Sequence, residues 1–372
     1  MIGRICMMTL GALVALLMAT TTGPAAPVAA EVAARLIGKL GKTPYEQYQV
    51  TDTLGRDVTF FLAEAPRPPA TKESPSEPPQ TPPAAEPPAV PLVVFVQGSG
   101  ASSHFIKVGE KIGTTSGFPV IHDALRGRGR VMVVEKPGIR TFDQPSTPGG
   151  TDGASAEFRS EHTLDRWATA IECSIDAALK LPGIDPSRVM VIGHSEGGLV
   201  ACRVAAMDPR ITHVAVMAGG GPTQLYDFMH MARHGGMFDH VSSDPAQRVT
   251  WLQNQWATVM ADPDSPDKIW FGHPHRRWST FCATSPAEEL LKCTAKVYIA
   301  QGGRDTAVEP STADVLAATL LSRGRDVTLN WIDQGDHGFM DPPPVGAPAP
   351  APSKNDGWAR TFSSAVEWFL AP

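Results

Sequence analysis

The chain carries no surplus of basic charge: 32 Lys plus Arg stand against 38 Asp plus Glu, a formal net charge of -6. A surface built to neutralise phosphates needs the opposite balance, and no basic cluster supplies it locally, so nucleic acid is excluded as a partner. The apolar run over residues 5–19 ends at the polar and small residues 20–23, short of the about 20 apolar residues that a membrane span requires. No His-Glu-x-x-His pattern occurs: His230 and His234 stand four apart, and His273-Pro274-His275 follows later, without the glutamate that would complete a zinc site. These are expected to be surface or cap histidines. The segment "GSGAS" lacks the spacing and the Lys-Ser/Thr of a phosphate-binding loop. Cysteine is scarce, at five, and Cys6 lies before the apolar run, where it is not placed for lipid attachment.

What is present is a chain of 372 residues, 42% hydrophobic and 19% charged, enough for one large core. Residues 1–30 read as a signal peptide: Arg4 at the start, the apolar run, then Val28-Ala29-Ala30 before Glu31 as the cleavage site. The expected location is therefore exported, periplasmic or secreted, with no membrane span after cleavage. Four cysteines would remain: Cys173, Cys202, Cys282 and Cys293. An even number in an oxidising compartment permits two disulfides, while four buried thiols are the alternative.

Residues 31–63 are expected to form an N-terminal helix, over 31–47, and two strands joined by a turn at 54–57. The Pro, Ala, Glu and Ser stretch over 64–91 cannot pack a core and reads as a surface loop, as does a second Pro/Ala stretch at 342–352. Strands at 92–98, 130–136 and 188–194 alternate with a helix over 162–180. "THVAVMAGG", "AKVYIAQGG" and "VTLNWIDQG" follow, with a closing helix at 357–370. Their continuous Val/Ile/Met character fits a buried parallel sheet in an α/β fold with helices on both faces. Residues 92–220 and 294–372 form its two core parts. Between them, 221–293 interrupts the rhythm, carries Trp251, Trp256, Trp270, Phe271 and Trp278, and reads as an inserted helical cap.

The segment "RVMVIGHSEGGLVACRVAA" runs from strand to Gly193-His194-Ser195-Glu196-Gly197 to helix. A serine hydroxyl reacts poorly unless it is exposed on a tight turn beside a base, and glycines two before and two after let that turn form. Ser195 is the expected nucleophile. Asp305, in "GGRDTAVEP", and His337, in "DQGDHGF", follow it in the order acid then histidine, each after a strand. Glu309, Asp333 and Asp336 are rival partners for His337. Backbone N–H groups for a developing oxyanion are expected from Glu196 and from Ser99 or, second, Gly100 in the loop after the first core strand. The basic pairs Arg203 with Lys180 and Arg276 with Arg277 read as solvated surface.

With these motifs the chain resembles the α/β-hydrolase superfamily, in particular bacterial esterase, thioesterase and acylaminoacyl-peptidase-like members with a "GHSEGG" elbow, a "GSG" loop, and "G-x-x-D" and "D-H-x-F" around acid and histidine, over residues 90–370. The resemblance implies a mainly parallel sheet, a variable cap, and hydrolysis of an ester, thioester or amide without metal or cofactor. The chain departs from the commoner pattern at Gln97, where many members carry histidine, and at "EKPGI", where many have an Arg-Gly turn. The expected activity is that of an exported carboxylesterase acting on a small-molecule ester or acyl substrate through an acyl-enzyme. A peptidase, thioesterase or acyltransferase with the same triad, and a non-catalytic envelope binding protein, are the alternatives.

Overall fold

The computed structural model describes residues 33–64, 89–147, 149–342 and 356–372; the expected signal peptide and most of both Pro-rich stretches lie outside them. In chain order the strands are β1 (Arg35–Lys39), β2 (Tyr45–Thr51), β3 (Asp57–Ala63), β4 (Val90–Val96), β5 (Phe105–Val108), β6 (Lys111–Thr114), β7 (Arg130–Val134), β8 (Ile184–His194), β9 (Ile211–Met217), β10 (Ile269–Trp270), β11 (His273–Pro274), β12 (Lys296–Gly302) and β13 (Val327–Ile332). The helices are α1 (Pro119–Leu125), α2 (Ala156–Glu161), α3 (Leu164–Ala178), α4 (Glu196–Met207), α5 (Gln224–His234), α6 (Pro245–Ala261), α7 (His275–Phe281), α8 (Pro286–Leu290), α9 (Ser311–Leu321) and α10 (Gly357–Leu370).

One nine-stranded sheet runs in the order β1-β2-β3-β7-β4-β8-β9-β12-β13. From β7 to β13 every pairing is parallel, whereas β1, β2 and β3 form an antiparallel meander on the β7 edge. Apart from the partly exposed edge strand β13, both faces of the parallel part are buried, which is why its strands read as apolar runs. Val94, Met132, Val191 and Val216 point to one face, under α3, α4 and α9. Val93, Phe95, Val133 and Ile192 point to the other, under α1 and α10. The order turns back at β4, between β7 and β8, and in such sheets chemistry gathers at the carboxyl ends of strands beside that point.

The helix expected over 31–47 is instead β1 and the start of β2. Glycines within a helix cost about 1 kcal/mol each. Here Gly38 and Gly41 take φ +150° and +55°, the first in a bulge of the β1–β2 pairing and the second in the turn. Leu36 and Ile37 are 55% and 46% exposed, so their spacing marks no buried helical face.

Between β9 and β12 the chain forms α5 to α8 and the β10–β11 hairpin, a helical cap with its own apolar cluster around Phe238, Leu252, Trp270 and Trp278. Phe228, Trp270, Phe271 and Trp278 meet with ring centroids 4.8–5.4 Å apart. All four cysteines of the described residues are free thiols; Cys173, Cys202 and Cys282 are buried and behave as small hydrophobes. Among the described residues no helix is long and apolar enough to cross a membrane.

Candidate active site

Ser195 lies between the last residue of β8 and the first of α4, at φ 56° and ψ -128°. A non-glycine residue there carries about 1–3 kcal/mol of strain and persists only when its surroundings enforce it. Ser195 N–H donates to the Met217 carbonyl at 2.9 Å, and its own carbonyl accepts the Gly198 N–H at 2.9 Å. The flanking glycines are steric requirements. A Cβ on Gly193 would strike the Gly197 carbonyl, and one on Gly197 would strike the carbonyls of Val96 and Gln97.

Asp305 follows β12 and is 5% exposed. One carboxylate oxygen accepts the N–H groups of Ala307 and Val308 at 2.8 and 2.9 Å. The other accepts Gln301 Nε2 at 3.0 Å and meets His337 Nδ1 at 2.8 Å. Burial pushes this carboxyl up, but the His337 bond and charge, with the two backbone donors, outweigh it and hold Asp305 below the usual carboxylate range. An ionised Asp305 only accepts, so Nδ1 of His337 carries the proton and Nε2 keeps its lone pair. The rival carboxylates are engaged elsewhere: Glu309 with His230, Asp333 with the Trp331 indole, and Asp336 with the N–H groups of Gly338 and Met340. The His337 carbonyl accepts His194 Nε2–H at 2.8 Å, so the residue before Ser195 holds the loop that carries His337.

The loop after β4 packs on the elbow. A Cβ on Gly98 would lie 3.3 Å from Ser195 Cβ and 3.7 Å from its Oγ. Ser99 and Glu196 line a space of 110 Å³ with Ser195, Asp227, Phe228, Arg277 and Trp278. Gly100, at φ +94°, packs against the Gly149 backbone, whereas Ser99 lines the space at Ser195. Glu196 begins α4, and its N–H has no upstream acceptor within the helix.

The sequence profile of the Alpha/beta hydrolase family matches residues 93–349. This chain belongs to the α/β-hydrolase family. No curated protein matches it in sequence. Among solved structures the hydrolase is similar to Est1E from Butyrivibrio proteoclasticus with ferulic acid bound, at 18% identity and a TM-score of 0.51, over 88% of this chain and 98% of that one. It is similar to acetyl xylan esterase 1 from a Thermoanaerobacterium species, at 13% identity and a TM-score of 0.51, over 90% of this chain and 88% of that one. Pyrococcus horikoshii acylaminoacyl peptidase aligns at 13% identity and a TM-score of 0.52, over 88% of this chain and 41% of that one. At such identities the likeness establishes the fold.

Three residues that sequence reasoning left out shape the hydrolase site. Lys136, 1% exposed and two residues beyond β7, donates to the carbonyls of Gly98 and Gly100, each at 2.6 Å. Burial and the charge of Arg277 push its pKa well down. Its only sequence signal is a charge closing an apolar strand, within the "EKPGI" departure. Arg277, expected on the surface, is buried in α7 and pairs with Glu196, whose carboxylate also lies 3.5 Å from His162 Nε2. The guanidinium stacks on Trp278 at 3.8 Å, and no sequence pattern announces that placement. Asp227, on α5, accepts the Glu309 N–H at 3.0 Å.

Of the other basic residues expected on the surface, Arg203 pairs with Asp165 and Glu289 and Lys180 with Asp176, while Arg276 is half-buried. His230 stacks on His234 at 4.0 Å and meets Glu309 at 2.9 Å, whereas His273 and His275 are cap histidines that lie buried. Among the described residues no three His, Cys, Asp or Glu side chains gather in a way that could hold a metal ion.

Proposed function

We propose that this α/β-hydrolase is an exported serine esterase that cleaves carboxylic esters of small acids through an acyl-enzyme on Ser195. The observation that carries the reading is the strained Ser195 turn packed against Gly98, with an Asp305–His337 pair whose loop is tied to the elbow through His194. In this mechanism His337 Nε2 takes the Ser195 proton and the Oγ attacks the ester carbonyl. The resulting oxyanion accepts from the N–H groups of Ser99 and Glu196. His337 returns the proton to the departing alcohol, and water repeats the sequence to free the acid. Asp305 stays ionised throughout, fixing the imidazole tautomer and stabilising its cation.

The 110 Å³ space at Ser195, walled by Phe228 and Trp278, suits a short acyl group. Two of the structural neighbours are an acetyl xylan esterase and a protein that holds ferulic acid, which agrees with an ester substrate. Export rests on the signal-like residues 1–30.

The purified chain lacking residues 1–30 should be labelled at Ser195 by a fluorophosphonate probe. It should hydrolyse p-nitrophenyl acetate faster than p-nitrophenyl decanoate and faster than aminoacyl-p-nitroanilides. Ser195→Ala should lower turnover by roughly 10⁴-fold or more. Absence of labelling in folded protein overturns the reading, and a preference for anilides replaces esterase by peptidase.

A further inference from the structure

A lysine ammonium is costly to bury, and without a partner it is usually replaced by an apolar side chain or gives up its charge. Lys136 is 1% exposed, and among the described residues no carboxylate oxygen lies within ion-pair distance of its Nζ. Its neighbour Glu135 turns to Ser103 Oγ and the His104 N–H. The Nζ amino group instead donates to the Gly98 and Gly100 carbonyls, 2.6 Å from each, and faces the Trp167 ring with Nζ 4.5 Å from the centroid.

Those two carbonyls belong to the loop that packs on Ser195. In a trans peptide the C=O and the following N–H point in opposite directions. Fixing the Gly98 carbonyl on Lys136 therefore fixes the Ser99 N–H to point away from it, and Ser99 lines the space that Ser195 opens into. Two further bonds tie the loop: Gln97 Nε2 donates to the Ser102 carbonyl at 2.9 Å, and the Ala101 N–H donates to the Gly150 carbonyl at 2.8 Å. Among the described residues the Ser99 N–H donates to no protein acceptor. A backbone donor left unspent in the loop that lines the space at Ser195 is what a preorganised oxyanion site requires.

We infer that Lys136 is a positioning residue for catalysis, which sets the direction of the Ser99 N–H toward the oxyanion by holding the Gly98 and Gly100 carbonyls from behind. It touches no reacting atom; it acts through the peptide plane between Gly98 and Ser99. The inference rests on the proposed role of Ser195. It goes beyond that role in assigning a purpose to a residue in the "EKPGI" segment, where this chain departs from its family's commoner pattern.

The test compares wild type with Lys136→Met, which keeps length and packing but has no donor, and Lys136→Gln, which restores amide N–H donors without charge. Lys136→Met should lower kcat for p-nitrophenyl acetate by roughly 10²–10³-fold, the scale for losing one oxyanion donor, while KM changes less than about threefold. Affinity for a boronic acid, which binds as a tetrahedral anion, should fall in parallel with kcat. Lys136→Gln should recover part of both, and it carries the comparison alone if the methionine variant does not fold. Two results overturn the inference: a Lys136→Met enzyme within threefold of wild type in kcat, or a loss of kcat with boronate affinity unchanged. The esterase reading fails separately, by absence of fluorophosphonate labelling in wild type, whatever the Lys136 variants do.

Discussion

Arg277, from the cap, and Glu196, the residue that follows Ser195, form an ion pair in which each side chain is 2% exposed. The cap is thereby fastened to the Ser195 turn by buried charge. It is fastened a second time where Asp227 on α5 receives the N–H of Glu309, four residues beyond Asp305. Elements separated widely in sequence thus share one set of charged anchors around Ser195.

Removing one partner of a buried pair leaves the other charge uncompensated, at a cost of about 3–5 kcal/mol. Arg277→Met and Glu196→Gln should each lower stability on that scale. The double variant should be less destabilised than the sum of the two, because no unpaired charge remains. Urea denaturation of the four proteins measures the coupling; strict additivity would show that the pair is energetically irrelevant. Fluorophosphonate labelling of Arg277→Met should slow as well, since α4 begins at Glu196.

Asp305→Asn exchanges an acceptor-only group for one that can donate to His337 Nδ1, which forces the proton onto Nε2 and removes the base. Turnover should fall by roughly 10⁴-fold. The carboxyl of Asp305 lies below its ordinary value in the folded chain, so it contributes stability that is present at neutral pH and is lost as pH falls through its folded value. The variant should therefore be less stable than wild type at pH 7, and the gap should close in strong acid. A gap that widens on acidification would contradict this sign.

Gly197→Ala tests the elbow by volume alone. The new Cβ would lie 2.5 Å from the Gln97 carbonyl and closer still to that of Val96, so the turn and the end of β4 must separate. Overpacking of this kind costs about 1–3 kcal/mol. Because the displaced backbone leads into Gly98 and Ser99, labelling should slow by roughly 10²–10³-fold, more than the stability loss alone explains. Labelling at the wild-type rate would mean that the contact between the β4 loop and the elbow does not matter for reactivity.

The sheet was legible because β4, β7, β8, β9 and β12 are buried on both faces and therefore write themselves as apolar runs. The elbow was legible because its glycines are forced by carbonyls of its own turn and of the neighbouring strand, a local requirement. Order along the chain singled out Asp305 and His337, which the fold sets 2.8 Å apart. Lys136, Arg277 and Asp227 were not found. Their roles depend on which distant backbone groups they meet, and a lone Lys, Arg or Asp reads in sequence as surface charge. The helix expected over 31–47 failed for a related reason: β1 is an edge whose pairing with β2 outweighs the helical spacing of its apolar residues, while the two strands expected after it stand as β2 and β3.

Asp227 makes this hidden part of the site measurable through pH. It is 7% exposed, and burial, joined by the nearby charges of Asp305 and Glu309, outweighs the Glu309 N–H and raises its carboxyl from 3.8 to about 7. Between those values the folded chain holds a proton that the unfolded chain has released. Stability therefore declines as pH rises from about 4 to about 7 and levels off above. Asp227→Asn keeps an oxygen to accept the Glu309 N–H but does not ionise, so it removes this decline. The variant should match wild type near pH 4 and exceed it at pH 8 by roughly 2–4 kcal/mol, read from urea midpoints across the range. Equal pH slopes for the two proteins would mean that Asp227 titrates as an ordinary exposed carboxyl and does not anchor the cap in the way its burial implies.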